Sequence, residues 1–197
     1  MIDFSRPAPE VAPLLLGGVI SHGGVSVRLT EVEAYAGELD PASHAFRGPT
    51  PRAAVMFGPP GRMYLYLSYG AHVCGNIVCS PEGEASAVLL RAGEVVAGLE
   101  LARERRVRPG RRRPPDDHLA RGPGNLGRAL GFAVTDSGTP LSPPGEEGFS
   151  FEVRDVDLPV ARGPRIGISR GVEVAWRFWI EGDPTVSGRR RPRHTNV

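Results

Sequence analysis

Lysine is missing altogether: each of the 24 basic side chains among the 197 residues is an arginine. Chemistry that needs a side-chain amine, above all Schiff-base formation with an opened sugar, is therefore excluded, and only the amino terminus remains for it. Cysteine is scarce. Cys74 and Cys79 sit in one expected strand at odd spacing, so they face opposite sides and are not expected to pair. Reduced thiols agree with an expected cytoplasmic location. No run approaches the roughly 18 apolar residues of a membrane span, and 1–9 lacks the basic and apolar regions of a signal peptide. No Cys/His cluster has metal-ligand spacing, so no metal is expected.

What is present suits one soluble globular domain. Hydrophobic residues make up 40% and charged residues 23%, ordinary values for a packed core with a solvated surface. The net charge of +2 hides the all-arginine basic complement. Arginine matches phosphate in a bidentate fashion and so favours a nucleic-acid partner, although a general arginine bias in composition explains the same observation.

Residues 29–79 hold all four tyrosines, His44, His72 and the pair Glu31 and Glu33. Val25, Val27 and Leu29 alternate with polar residues as in a half-buried strand. Continued unbroken, the alternation places Glu31, Glu33 and Tyr35 on the same inward face. A carboxylate buried there would lose solvation and titrate nearer neutrality, as a general base requires; pairing with arginine is the competing outcome. Met63 to Ser68 and Val73 to Ile77 alternate as two strands around a Ser68-Tyr69-Gly70-Ala71 turn. An aromatic at such a tip is poorly placed for a core.

Elsewhere, a short helix is expected over 9–16, stopped by Gly17-Gly18, and 36–62 reads as a long connection carrying His44. Residues 85–90 read as a buried strand ending at Arg91, 94–106 as a helix, and 122–130 as a helix opened by Gly-Pro-Gly. Strands are expected over 149–153, 165–168 and 176–180. Residues 107–116 form a basic, proline-broken loop and 188–197 a basic tail, leaving 1–187 as the domain.

The chain carries, in this order, Glu31-Val32-Glu33-Ala34-Tyr35, His44, Thr50-Pro51-Arg52, Tyr64-Leu65-Tyr66, Tyr69-Gly70, Asn76-Ile77, Arg91-Ala92, Gly122-Pro123-Gly124 and Pro164-Arg165-Ile166-Gly167. This ordered set of motifs resembles the alkyladenine (3-methyladenine) DNA glycosylase family. Each piece is weak alone, but together they span nearly the whole chain in order. The fold this implies is a single-domain mixed α/β (α+β) protein with a curved, largely antiparallel sheet and a protruding hairpin. The implied activity is excision of alkylated purines, with deaminated purines as a second class, from double-stranded DNA by a monomer without cofactor. A noncatalytic nucleic-acid-binding module and a small-molecule hydrolase are the alternatives.

The resemblance also implies roles. Glu33, in preference to Glu31, is the general base. Arg91 and the backbone carbonyl of Ile166 help to hold the water. Tyr35 and Tyr66 sandwich a flipped base, His44 walls the pocket, and Asn76 clashes with the 2-amino group of guanine. Tyr69 is the wedge that fills the vacated stack, while Arg52 and the backbone at Gly124 contact phosphates. Ala53 and Asn125 depart from the residues that commonly follow the Thr-Pro-Arg and Gly-Pro-Gly motifs, which bears on DNA affinity rather than on chemistry.

Overall fold

The computed structural model describes residues 2–107, 109–110, 112–154 and 157–188. Within them, strands β1 (Val19–His22), β2 (Val25–Tyr35), β3 (Met63–Ser68), β4 (His72–Cys79) and β5 (Ser86–Ala97) make up most of one curled sheet. It is completed by β6 (Ala120–Arg121), β7 (Leu141–Ser142), β8 (Phe149–Glu152), β9 (Val160–Gly163) and β10 (Arg177–Ile180). The order is β3-β4-β5-β2-β1-β8-β7, with β10 joining β2 to β9 and β6 lying against β5. All named pairings are antiparallel except β7 with β8. Helices α1 (Ala8–Val11), α2 (Leu99–Arg106) and α3 (Pro123–Leu130) pack on the sheet.

β2 is the spine. Val25, Val27 and Leu29 enter the main core, as the alternation predicts, but the core residues that follow are Val32 and Ala34. The expected common face for Val25–Leu29 and the two glutamates is therefore wrong. Leu29 pairs with Gly93 and Val32 with Leu90, whereas Thr30 and Arg91 drop out of the register. An irregularity of this kind re-aims the side chains that follow it. Glu31 and Glu33 are turned out of the apolar core, where an ion would be costly, and onto the opposite face.

Three other expectations are corrected. Residues 94–97 continue β5, because Val95 and Glu94 pair with Val27 and Arg28; the helix begins only after Gly98, whose φ of 71° and close approach to Gly24 O exclude a side chain. The helix over 9–16 is one turn of α-helix followed by a 3-10 segment at Ala12–Leu15, since Pro13 has no N–H to donate. The strand placed at 165–168 lies earlier, at β9; Pro164 ends its pairing and 164–168 is irregular.

The 36–62 connection is ordered by turns and by 3-10 segments at Gly37–Leu39 and Ala54–Phe57. A second apolar cluster of Ala45, Ala53, Met56, Tyr64, Val78 and Ala87 seats it on the sheet face that carries the glutamates. Cys74 and Cys79 are both free and buried. Among the described residues no helix is long and apolar enough to cross a membrane, and no group of three or more His, Cys, Asp or Glu could hold a metal. Arg108 and Arg111 of the basic loop, and 189–197 of the basic tail, lie outside the described residues.

Candidate active site

A cleft of about 500 Å³ opens on the glutamate face of the sheet. Tyr35 from β2, Tyr66 from β3, Asn76 from β4 and Arg91 from β5 line it, and Tyr69 stands at its edge. The connection after β2 adds His44 and Arg52, and the segment after β9 adds Ile166. Strand pairing thus gathers residues that the chain spreads over more than half its length.

Glu33 lies beneath this lining with no exposed surface. Its Oε1 accepts the Ile166 N–H at 2.8 Å, and its Oε2 accepts the Tyr35 hydroxyl at 2.9 Å. Arg91 Nη1 stands 3.4 Å from Oε1. Burial pushes the Glu33 carboxyl above its ordinary range; Arg91, the Ile166 amide and the Tyr35 hydroxyl pull back against that, and Glu31 adds to it. The contact seen at Ile166 is its amide rather than its carbonyl.

Glu31 is equally buried but serves a different set of partners. Its Oε1 accepts Arg91 Nε at 3.0 Å and Arg177 Nε at 2.5 Å, and its Oε2 accepts the Ser187 N–H at 2.6 Å. Arg91 therefore bridges the two carboxylates. Two acids against two guanidinium groups is what permits this much charge to be buried together. The arginine pairing weighed from the sequence holds for Glu31.

The aromatic walls are mutually braced. The Tyr64 and Tyr66 rings stack at 5.6 Å, and His44 meets Tyr66 edge-on at 4.6 Å. His44 Nδ1 lies 3.0 Å from the Tyr64 hydroxyl. Burial, with a contribution from Arg52, pulls the His44 imidazole down to about 4, so it is neutral at neutral pH. Burial raises both Tyr35 and Tyr66, which stay protonated. Asn76 is held by a bond from its Nδ2 to Tyr64 O at 3.1 Å, and the Arg52 guanidinium lies 5.2 Å over the Tyr66 ring.

Tyr69 is 93% exposed. It and Gly70 occupy the centre of the β3–β4 turn with φ of 48° and 65°, closed by the Ala71 N–H to Ser68 O. Such a primed turn suits the strand twist but favours small residues, so a fully exposed tyrosine there runs against local preference. Gly124 stands apart from the cleft: it packs on His72, where a Cβ would come within 2.7 Å of the ring, although its neighbour Pro123 reaches the cleft rim. Four residues had no role assigned from sequence, namely Tyr64, Arg177 and the buried pair Asp40 and Arg165. Their contacts join distant segments, and no local pattern announces them.

The family model described as methylpurine-DNA glycosylase matches residues 2–184. A Cutibacterium acnes protein provisionally named as a 3-methyladenine DNA glycosylase is 57% identical, the match covering 96% of this chain and all of that protein. Proteins of the same provisional name from Frankia casuarinae and Corynebacterium jeikeium are 55% and 52% identical. Those matches cover 98% and 96% of this chain, and 93% and 91% of the relatives.

Proposed function

Because the chain belongs to the methylpurine-DNA glycosylase family and is a DNA glycosylase, we propose that it rotates an alkylated purine out of duplex DNA and hydrolyses its N-glycosidic bond with a water activated by Glu33. The observation that carries this reading is a carboxylate buried directly beneath a tyrosine-lined cleft whose rim bears a fully exposed aromatic. A module that only bound DNA would gain nothing from such a carboxylate, which repels phosphate. A small-molecule hydrolase would have no use for Tyr69.

The target bond is unreachable inside the base stack, so the nucleotide must leave it. Tyr69 enters the gap as the base departs. The purine slides between Tyr35 and Tyr66, stacking being worth roughly 1–3 kcal/mol per base. Neutral His44 forms the third wall, offering a hydrogen bond without adding positive charge beside a cationic base. Asn76, held against the Tyr64 carbonyl, crowds the 2-amino group of guanine and so rejects a normal base. Cleavage builds positive charge on the deoxyribose. Glu33 stabilises that charge and takes the proton of a water that Arg91 and the Ile166 carbonyl help to aim at C1′. Arg52 and the backbone near Gly124 meet phosphates on either side. Deaminated purines are the second lesion class, and the protein works as a monomer in the cytoplasm.

The reading is tested on duplexes that each carry one defined lesion. With water as the nucleophile and no lysine in the chain, the product is an intact abasic sugar. Strand breaks should appear only after alkali or heat, and borohydride should trap no covalent complex. No alkali-labile site at any alkylated purine would overturn the function, and a trapped adduct would overturn the hydrolytic step.

Tyr69→Ser is expected to weaken capture of the flipped base and leave the bond-breaking step near its parent rate. A fluorescent base in the lesion position follows capture, and single-turnover release at saturating protein follows chemistry. Unchanged capture would remove Tyr69 from the wedge role.

A further inference from the structure

Behind the cleft lies an ion pair with no part in the chemistry described so far. Neither Arg165 nor Asp40 lines the cleft. Their side chains are 0% and 1% exposed, and they meet through two bonds, at 2.5 Å and 2.9 Å. The Arg165 guanidinium also donates to Ala34 O at 3.0 Å and lies 4.7 Å over the Tyr35 ring and 5.3 Å over Trp176. Its Nε has no partner among the described residues, so its pose is set by Asp40, Ala34, a longer bond from Nη2 to Gly171 O at 3.4 Å, and the two rings. Asp40 in turn accepts the N–H groups of Ala36 and Ala42, at 3.2 Å and 3.0 Å, shortly before His44. The residue after Arg165 is Ile166, whose amide holds Glu33.

One buried contact therefore touches the Tyr35 wall, the loop that carries the His44 wall, and the segment that orients Glu33. Stability alone is a weak reason for such a pair, because apolar residues of similar volume commonly do as well. A planar cation that can fork onto a carboxylate while lying on an aromatic face is a requirement only arginine meets. We propose that Arg165 and Asp40 are a positioning pair, which holds the Tyr35 ring, and the loop from 36 to 44, where a flipped purine must stack. The proposal rests on the glycosylase reading above.

Arg165→Lys keeps the charge and loses the fork and the flat face; Asp40→Asn keeps the shape and loses the charge. Both are compared with the parent on a duplex carrying 1,N6-ethenoadenine, whose fluorescence reports stacking. Melting temperature should fall, most in Asp40→Asn, where buried Arg165 loses its counter-ion, so all rates are read well below each variant's transition; affinity for undamaged duplex should stay close to the parent's there. Single-turnover release at saturating protein should fall roughly 10- to 100-fold, the effect of a small misplacement of a reacting group, and the stacking signal should shrink. Arg165→Lys added to Tyr35→Leu should slow release by clearly less than the product of the two single effects, since the pair acts in part through that ring. Should Arg165→Lys fail to fold, Asp40→Asn carries the same comparison.

Variants that stack and release like an active parent would overturn the pair's role alone. Loss of undamaged-duplex affinity together with release, in every variant, would make the pair structural only and overturn positioning. A parent that releases no base from this duplex or from duplexes carrying any other alkylated purine would overturn the function itself, and the pair's role with it.

Discussion

Glu33→Gln should slow base release by roughly 10²–10⁴-fold, the range attributed to a positioned general base, while lesion-duplex affinity stays near the parent's. The amide keeps the shape of the side chain and can still accept the Ile166 N–H, but it cannot take a proton from water. The same residue sets an acid limb. Only the ionised carboxylate acts as a base, and burial holds its titration above the ordinary glutamate range. Single-turnover release should therefore decline as pH is lowered, beginning above that range, and Glu33→Gln should lose this limb along with the rate. Release by Glu33→Gln at the parent rate would sink the assignment, and Glu31 would be tested next.

The largest loss of stability is expected from Glu31→Ala. Three donors converge on that carboxylate: Arg91 Nε, Arg177 Nε and the Ser187 amide. Removing it leaves two largely buried guanidinium groups facing one another without their common counter-ion. Breaking a buried pair in this way costs about 3–5 kcal/mol. Urea unfolding should show the loss as a lower midpoint with little change in slope. Base release should also fall, because Arg91 loses the partner that orients it toward Glu33. A midpoint shift worth less than about 1 kcal/mol, the scale of a surface ion pair, would mean that water or another acid compensates these arginines. Glu31→Gln should cost less, since the amide oxygen still accepts from its neighbours.

These two glutamates show where a one-dimensional reading stops. Alternation in Val25, Val27 and Leu29 located β2 correctly, and Glu31 and Glu33 lie on the face that carries the candidate site. Carrying the alternation onward put the pair on the core face, because a register break is a property of two strands. It depends on how Thr30 and Arg91 fit between β2 and β5, and nothing within β2 announces it. The 94–106 segment failed similarly. Its apolar spacing suits a helix, yet pairing of Glu94 and Val95 with β2 prevails until Gly98. Long-range pairing overrides local preference wherever both are satisfiable.

By itself the sequence determined the family, the order of most elements, the exposed tyrosine turn, the free cysteines and the absence of a side-chain amine. Those follow from residue identity and short-range spacing, which the linear chain carries explicitly. Only the tertiary structure decided that Glu33 lies beneath the cleft with both oxygens engaged, that Arg91 bridges the two acids, and that Arg177 joins them. It likewise decided that Asp40 and Arg165, 125 residues apart, meet behind Tyr35. The reason is physical: burial, bond geometry and the shift of a carboxyl's titration are set by what the folded chain brings within a few ångströms, and sequence separation does not encode that distance.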